Sequence, residues 1–122
     1  MSGQAVPQLA TFDGQTFVLN SAARSKKCFW PYHTWVSILG DEAQSRKYQS
    51  DITLVPHCDN PSDSALMVTG KVYSIEVSPE EVLEDQLGVL EVNEGRARKM
   101  GKYVSGEDVE LHVDYRIVRK SK

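Results

Sequence analysis

Along this chain, apolar and polar residues alternate with a period of two far more often than they recur every three or four positions, and the pattern predicts strands. The clearest case is Val109–Val118, where Val109, Leu111, Val113, Tyr115 and Ile117 fall on one side and Glu110, His112, Asp114 and Arg116 on the other. Such a strand has one face in a core and one in water. After Pro31, the segment Phe29–Leu39 places Tyr32, Thr34, Val36 and Ile38 opposite His33, Trp35, Ser37 and Leu39. Neither set is charged, so this strand is expected to be buried at least in part on both faces. Thr11–Leu19 reads as a strand or hairpin arm, with Asp13-Gly14 as a turn signal. Tyr48–Val55 holds Tyr48, Ile52 and Leu54 in phase, and Leu66–Val77 is a third long strand in which Gly70 marks a bulge or bend. Leu87–Val92 reads as a further short strand.

One segment signals a helix. Ser78 is a good N-cap, Pro79 suits the first helical position, and Glu81 completes a capping box, so a short helix is predicted over Pro79–Asp85. The remaining stretches, 21–27, 40–47, 56–64 and 93–106, are turn-rich loops, the last with room for one helical turn. Residues 1–10 read as a flexible leader, 11–119 as the domain and 120–122 as a tail. About seven or eight strands with one short helix, no repeat and no heptad make an all-β, antiparallel β-sandwich.

Composition narrows the class rather than the function. A length of 122 residues fits one domain, and 40% hydrophobic with 25% charged residues is ordinary globular usage. The 14 basic and 17 acidic residues give a formal charge of −3, which excludes a uniformly basic nucleic-acid binder but not a local basic patch. The first residues lack a signal peptide's positive start and apolar core, and no stretch approaches the roughly 18 apolar residues that span a bilayer. Asn60 is followed by Pro61 and is no glycosylation acceptor. The expected setting is the cytoplasm or nucleus, away from membranes, with Cys28 and Cys58 as free thiols; a Cys28–Cys58 disulfide is the alternative.

Candidate chemistry is sparse. Cys28, His33, His57, Cys58 and His112 include no paired ligand spacing, so neither a metal nor another cofactor is expected. No nucleophile signature surrounds either cysteine, and no catalytic residue is assigned. Arg96, Arg98, Lys99 and Lys102 form a basic loop between glycines that could grip a phosphate backbone, though it is not a P-loop. It follows a run of seven acids without a base over residues 76–94, and pairing with that run is the plainer role. Phe12, Phe17, Phe29, Trp30, Tyr32 and Trp35 crowd the first third of the chain. Trp35 and Phe17 suit a core. Trp30, before a proline that cannot donate to a ladder, suits an edge. An edge strand beside aromatics is what an extended peptide needs when it adds to a sheet.

The order and spacing of these blocks resembles the TRAF-like sandwich at the C-terminus of the seven-in-absentia family of ubiquitin ligases, and more distantly MATH and TRAF domains. The likeness runs from an opening strand Phe12–Leu19 through an aromatic segment Cys28–Tyr32 and strands Trp35–Leu39, Tyr48–Val55 and Leu66–Val77. A short helical link and Gly88–Val92 follow, then the alternation Val109–Ile117. No short motif carries it. A narrower likeness is to sandwiches that follow a TRAF-type zinc-finger region. The resemblance implies a substrate- or adaptor-recognition module, with ligase activity residing elsewhere in any parent protein. It places peptide contact near Phe17, Leu19, Phe29, Trp30 and Tyr32. It also implies self-association, for which Val109–Val118 offers a dimer edge. A nucleic-acid partner held by the basic loop is the alternative.

Overall fold

The computed structural model describes residues 8–23, 31–55, 66–93, 95–97, 102–105 and 108–120, with backbone alone for 22–23, 102–105 and 108–110. Its elements are β1 (Gln8–Phe12), β2 (Gln15–Ala23), β3 (Tyr32–Ile38), α1 (Glu42–Ser45), β4 (Tyr48–Val55), β5 (Leu66–Lys71), β6 (Tyr73–Ser74), α2 (Pro79–Asp85), β7 (Leu90–Val92), β8 (Lys102–Ser105), β9 (Asp108–Glu110) and β10 (His112–Arg119). Eight strands build two sheets. One runs β1-β2-β3-β6, with β7 also pairing β3; the other runs β10-β4-β5. β8 and β9 form a separate hairpin. All pairings are antiparallel except the short β3–β6 contact. The molecule is therefore the all-β sandwich that the alternation predicts.

The core lies between the sheets. Phe17, Leu19, Val36, Ile38, Leu90 and Val92 from one sheet meet Tyr48, Ile52 and Leu54 from the other, and Leu111, Val113, Tyr115 and Ile117 close over them. The two-residue period decides this: in β4 every second residue from Tyr48 is buried, and in β10 the odd-numbered residues face in. β3 is buried from His33 to Ile38 because a second, smaller core covers its other face. There Val82 of α2 and Val89 pack on Trp35 and Tyr73.

Several local expectations change in detail. β1 begins at Gln8, inside the stretch expected to be a leader. The Asp13-Gly14 turn, with φ of 55° and 74°, folds it back on β2 as a two-residue hairpin. Backbone pairing, not burial, holds these largely exposed residues. A second helix, α1, occupies the expected polar turn. Asp41 and Gln44 cap each other reciprocally at 2.9 and 3.1 Å, a capping box hidden in Asp41-Glu42-Ala43-Gln44. The predicted α2 has the predicted bounds and Ser78 as its cap, but Glu81 accepts from the Ser78 hydroxyl at 3.2 Å instead of reaching the backbone. The expected long strand 66–77 breaks at Val72: β5 belongs to one sheet, β6 to the other, and Val72 between them is buried. Residues 95–97 form the anticipated helical turn, where the Asn93 side chain accepts from the Arg96 N–H at 2.8 Å and Ala97 enters the core.

The break at Val72 has a neighbour that explains Gly70. A side chain on Gly70 would lie 2.7 Å from the backbone of Gly88, and one on Gly88 would lie 2.6 Å from the backbone of Lys71. The turn from α2 to β7 therefore presses backbone against backbone on β5. Gly88 also has φ of 75°, which only glycine adopts without strain.

Candidate functional site

The strand edges decide where a partner chain has access. Among the described residues, β1 pairs only with β2 and β10 only with β4, so each keeps one open edge. These edges lie on the same side of the sandwich. At one end they are clamped: Arg119, closing β10, donates to Asp13 Oδ2 at 2.8 Å, and the Tyr48 hydroxyl donates to the same oxygen at 2.8 Å. The Tyr48 hydrogen bond is the main reason the Asp13 carboxyl is held below its ordinary range, with Arg119 adding to it. Phe12 covers this end, 6.3 Å from the Tyr48 ring and 6.4 Å from that of Phe17.

At the other end the sheets part. A cavity of about 180 Å³ opens there, lined by Gln8 of β1, Leu19 and Ser21 of β2, Tyr32 and Thr34 of β3, and by Leu111 and Val113 at the start of β10. The walls alternate in character. Leu19, Leu111 and Val113 give apolar surface. Ser21, Thr34 and Gln8 give hydrogen-bonding groups, of which the Thr34 hydroxyl already donates to the Asn20 carbonyl at 2.7 Å. Tyr32 is half-buried; burial pushes its hydroxyl above the ordinary tyrosine value, and a hydrogen bond with Ser21 opposes that shift. The lining is mixed, with more polar than apolar surface, so it offers both hydrogen bonds and apolar contact.

The predicted peptide residues divide. Leu19 and Tyr32 are brought together in this mouth. Phe17 is not: it is fully buried, its ring packed edge-on at 5.1 Å from that of Tyr48, so it belongs to the core, where its strand phase also puts it. Phe29 and Trp30, just before Tyr32, lie outside the described residues. The alternation puts Leu111 and Val113 on the core face of the last strand, and only the parting of the sheets makes them walls of an opening.

Among the described residues, the other candidates are not gathered into a site. Arg96 is exposed on the turn 95–97, Arg98 and Lys99 lie outside the described residues, and Lys102 is known only as the first residue of β8. Of the metal candidates, Cys28, His57 and Cys58 also lie outside. His112 is exposed beside Asp114 at 3.0 Å. His33 is fully buried, with Nε2 3.0 Å from Glu91 Oε2 on the paired strand and Nδ1 without a partner among the described residues. Among the described residues no three His, Cys, Asp or Glu side chains could share a metal ion, and no helix is long and apolar enough to cross a membrane. Compared with known protein families and with curated proteins, the chain matches none.

Proposed function

We propose that this sandwich is a protein-interaction module that receives an extended peptide at the mouth between β1 and β10. The observation that carries the reading is the convergence of Leu19, Tyr32, Leu111 and Val113 on one opening beside two strand edges that no described strand covers. A peptide strand added to either edge gains main-chain hydrogen bonds, and every second side chain can enter the mouth. The order of segments, which resembles the recognition sandwich of seven-in-absentia ligases, supports the same role. It further suggests that a parent protein would use the module to recruit a substrate or adaptor for ubiquitin transfer.

Selection from a random peptide library on the folded chain tests this. Enriched peptides should share apolar residues at alternate positions, and Tyr32→Ala and Leu111→Asp should each abolish their capture while the fold is retained. Peptides that bind both variants as well as the parent would refute the mouth. Retention of RNA or DNA with affinity falling steeply with salt, and no enriched peptide, would favour the basic loop instead.

A further inference from the structure

A second cleft, of about 380 Å³, shares no lining residue with the mouth. It lies where the C-terminal end of α1, the end of β5 and the α2–β7 turn come together. Its rim carries three cations from distant parts of the chain: Arg46, Lys71 and Lys120. Its floor is apolar, formed by buried Val72 and by Leu87, which leaves 58% of its surface exposed. Gln49 adds an amide. Among the described residues no acidic side chain lines it.

On a chain of net charge −3, this grouping is a local reversal of sign. The cations are held but not consumed. Lys71 Nζ stands 3.2 Å from Asp85 Oδ2 and 4.9 Å from the centre of the Tyr73 ring, so the ammonium is positioned from two sides. Arg46 pairs with Glu42 at 3.3 Å, and both side chains of that pair are mostly exposed. Exposed pairs of this kind contribute little and exchange readily for an incoming carboxylate. Lys120 has no ion pair among the described residues; its backbone N–H, which donates to the Lys47 carbonyl at 2.8 Å, fixes its place at the rim. The backbone of Leu87 is fixed beside the cleft, because it sits in the turn that Gly70 and Gly88 press against β5. A singly exposed leucine is common and needs no explanation. Ringed by three cations, it makes a surface that favours one chemistry: negative charge outside, apolar contact inside.

We propose that this cleft is a second docking site, for a partner segment that carries carboxylates on both sides of an apolar side chain. The carboxylates would meet Arg46, Lys71 and Lys120, and the apolar group would cover Leu87 and Val72. Positive potential in a cleft with apolar walls also speeds the encounter with an acidic segment.

Fluorescence anisotropy with a labelled peptide of sequence Glu-Glu-Leu-Glu-Glu tests the proposal on the full chain. The peptide should bind, more weakly as salt rises. The analogues Gln-Gln-Leu-Gln-Gln and Glu-Glu-Ser-Glu-Glu should each bind at least several-fold less well. Reversing charge in Lys71→Glu with Lys120→Glu should weaken binding about tenfold or more, equivalent to a loss of about 1.4 kcal/mol. Arg46→Gln with Lys120→Glu, which leaves the Lys71 contacts intact, should give a loss of the same sense. Leu111→Asp, in the mouth, should leave this binding unchanged, so failure of one site is separable from failure of the other. Equal binding by both charge variants, or by the glutamine analogue, would overturn the proposal. So would displacement of the peptide by an equal concentration of inorganic phosphate, which would make the cleft a simple anion site. Dimerisation that Lys71→Glu abolishes and the peptide does not displace would make a second copy the occupant, and would overturn it equally.

Discussion

The contact between Gly70 and Gly88 should govern the stability of the sandwich, and three glycine-to-alanine variants separate its causes. Gly14 has φ of 74° in the β1–β2 turn, but nothing lies within 4 Å of where its Cβ would stand. Alanine there meets only left-handed backbone strain, about 1–2 kcal/mol. Gly70 has no such dihedral, and its cost is steric: a Cβ 2.7 Å from the Gly88 backbone, which no flexible side chain can relieve. Overpacking of this kind costs about 1–3 kcal/mol. Gly88 incurs both, with φ of 75° and a Cβ 2.6 Å from the Lys71 N–H and 2.7 Å from its carbonyl oxygen, so about 2–5 kcal/mol is expected. Each alanine also restricts the unfolded chain by a similar amount, about 0.4–1 kcal/mol, which leaves the order of the three unchanged. Urea titration followed by tryptophan fluorescence gives the shifts, since Trp35 is buried in the smaller core and reports its loss. For a chain of this length, Gly88→Ala should lower the melting temperature by about 10 °C or more. The double variant Gly70→Ala with Gly88→Ala should cost less than the two singles together, because both push apart the same pair of backbones. Gly14→Ala as harmful as Gly88→Ala, or strict additivity of Gly70 and Gly88, would refute the crossing as the cause.

Other outcomes follow from single groups. Ser50 is fully buried on the core face of β4, and its hydroxyl has no partner among the described residues, so Ser50→Ala should be neutral or stabilising by up to about 1 kcal/mol; a clear loss in chemical denaturation would show that the hydroxyl is satisfied. The Tyr73 hydroxyl lies 2.7 Å from the Leu87 carbonyl and 3.2 Å from Asp85, and Tyr73→Phe should cost about 1–2 kcal/mol in the same assay while the ring is retained for Lys71. Burial raises the hydroxyls of Tyr32, Tyr48 and Tyr73 above the ordinary value near 10, with Asp13 adding to the shift at Tyr48 and Asp85 at Tyr73. The folded state thus favours their neutral form. Their contribution is intact below about pH 10 and is lost as pH rises beyond it, so ultraviolet titration should show tyrosinate appearing together with unfolding. At the acid limb the sign is opposite. Asp13, held below 3.8 by Tyr48 and Arg119, stabilises above that value and loses its effect as pH falls through its folded pKa. Asp13→Asn should therefore flatten acid denaturation, and an unchanged acid limb would contradict the clamp.

What the sequence makes legible is which residues share a face. The alternation of Val109–Ile117, the two-sided burial of β3, the Asp13-Gly14 hairpin and the bounds of α2 all follow from local rules of period, turn and cap. What it conceals are the places where tertiary pairing overrides composition. β1 looks like a polar leader because its side chains are mostly exposed; it is a strand because its backbone pairs with β2. The run 66–77 reads as one strand with a bulge or bend at Gly70, yet the chain changes sheets at Val72. The Asp41–Gln44 capping box is open to the same rule that locates Ser78, and a loop-like composition masks it.

The candidate sites are harder to read for a related reason. Period assigns a residue to the inside of a sheet, but not to the centre or the mouth of the space between two sheets. The alternation is the same whether Val113 stands at the middle of a core or at an opening. The distance between the β1 and β10 edges decides whether it is core or wall. Tyr32 and Leu19 are singled out by the resemblance, from their place in the order of segments. Phe17, singled out on the same ground, lies where the clamp of Asp13, Tyr48 and Arg119 holds the sheets shut. The second cleft is less visible still. Arg46, Lys71 and Lys120 lie far apart in the chain, in stretches that read as a turn, a strand and a tail, while the contiguous cations at 96–102 draw the eye. Cations that adjoin in one loop need no particular fold to be neighbours, whereas cations that converge from three elements on an apolar floor are brought there by the fold. For this reason the cleft at Leu87 is the more informative place to look for a partner than the basic loop.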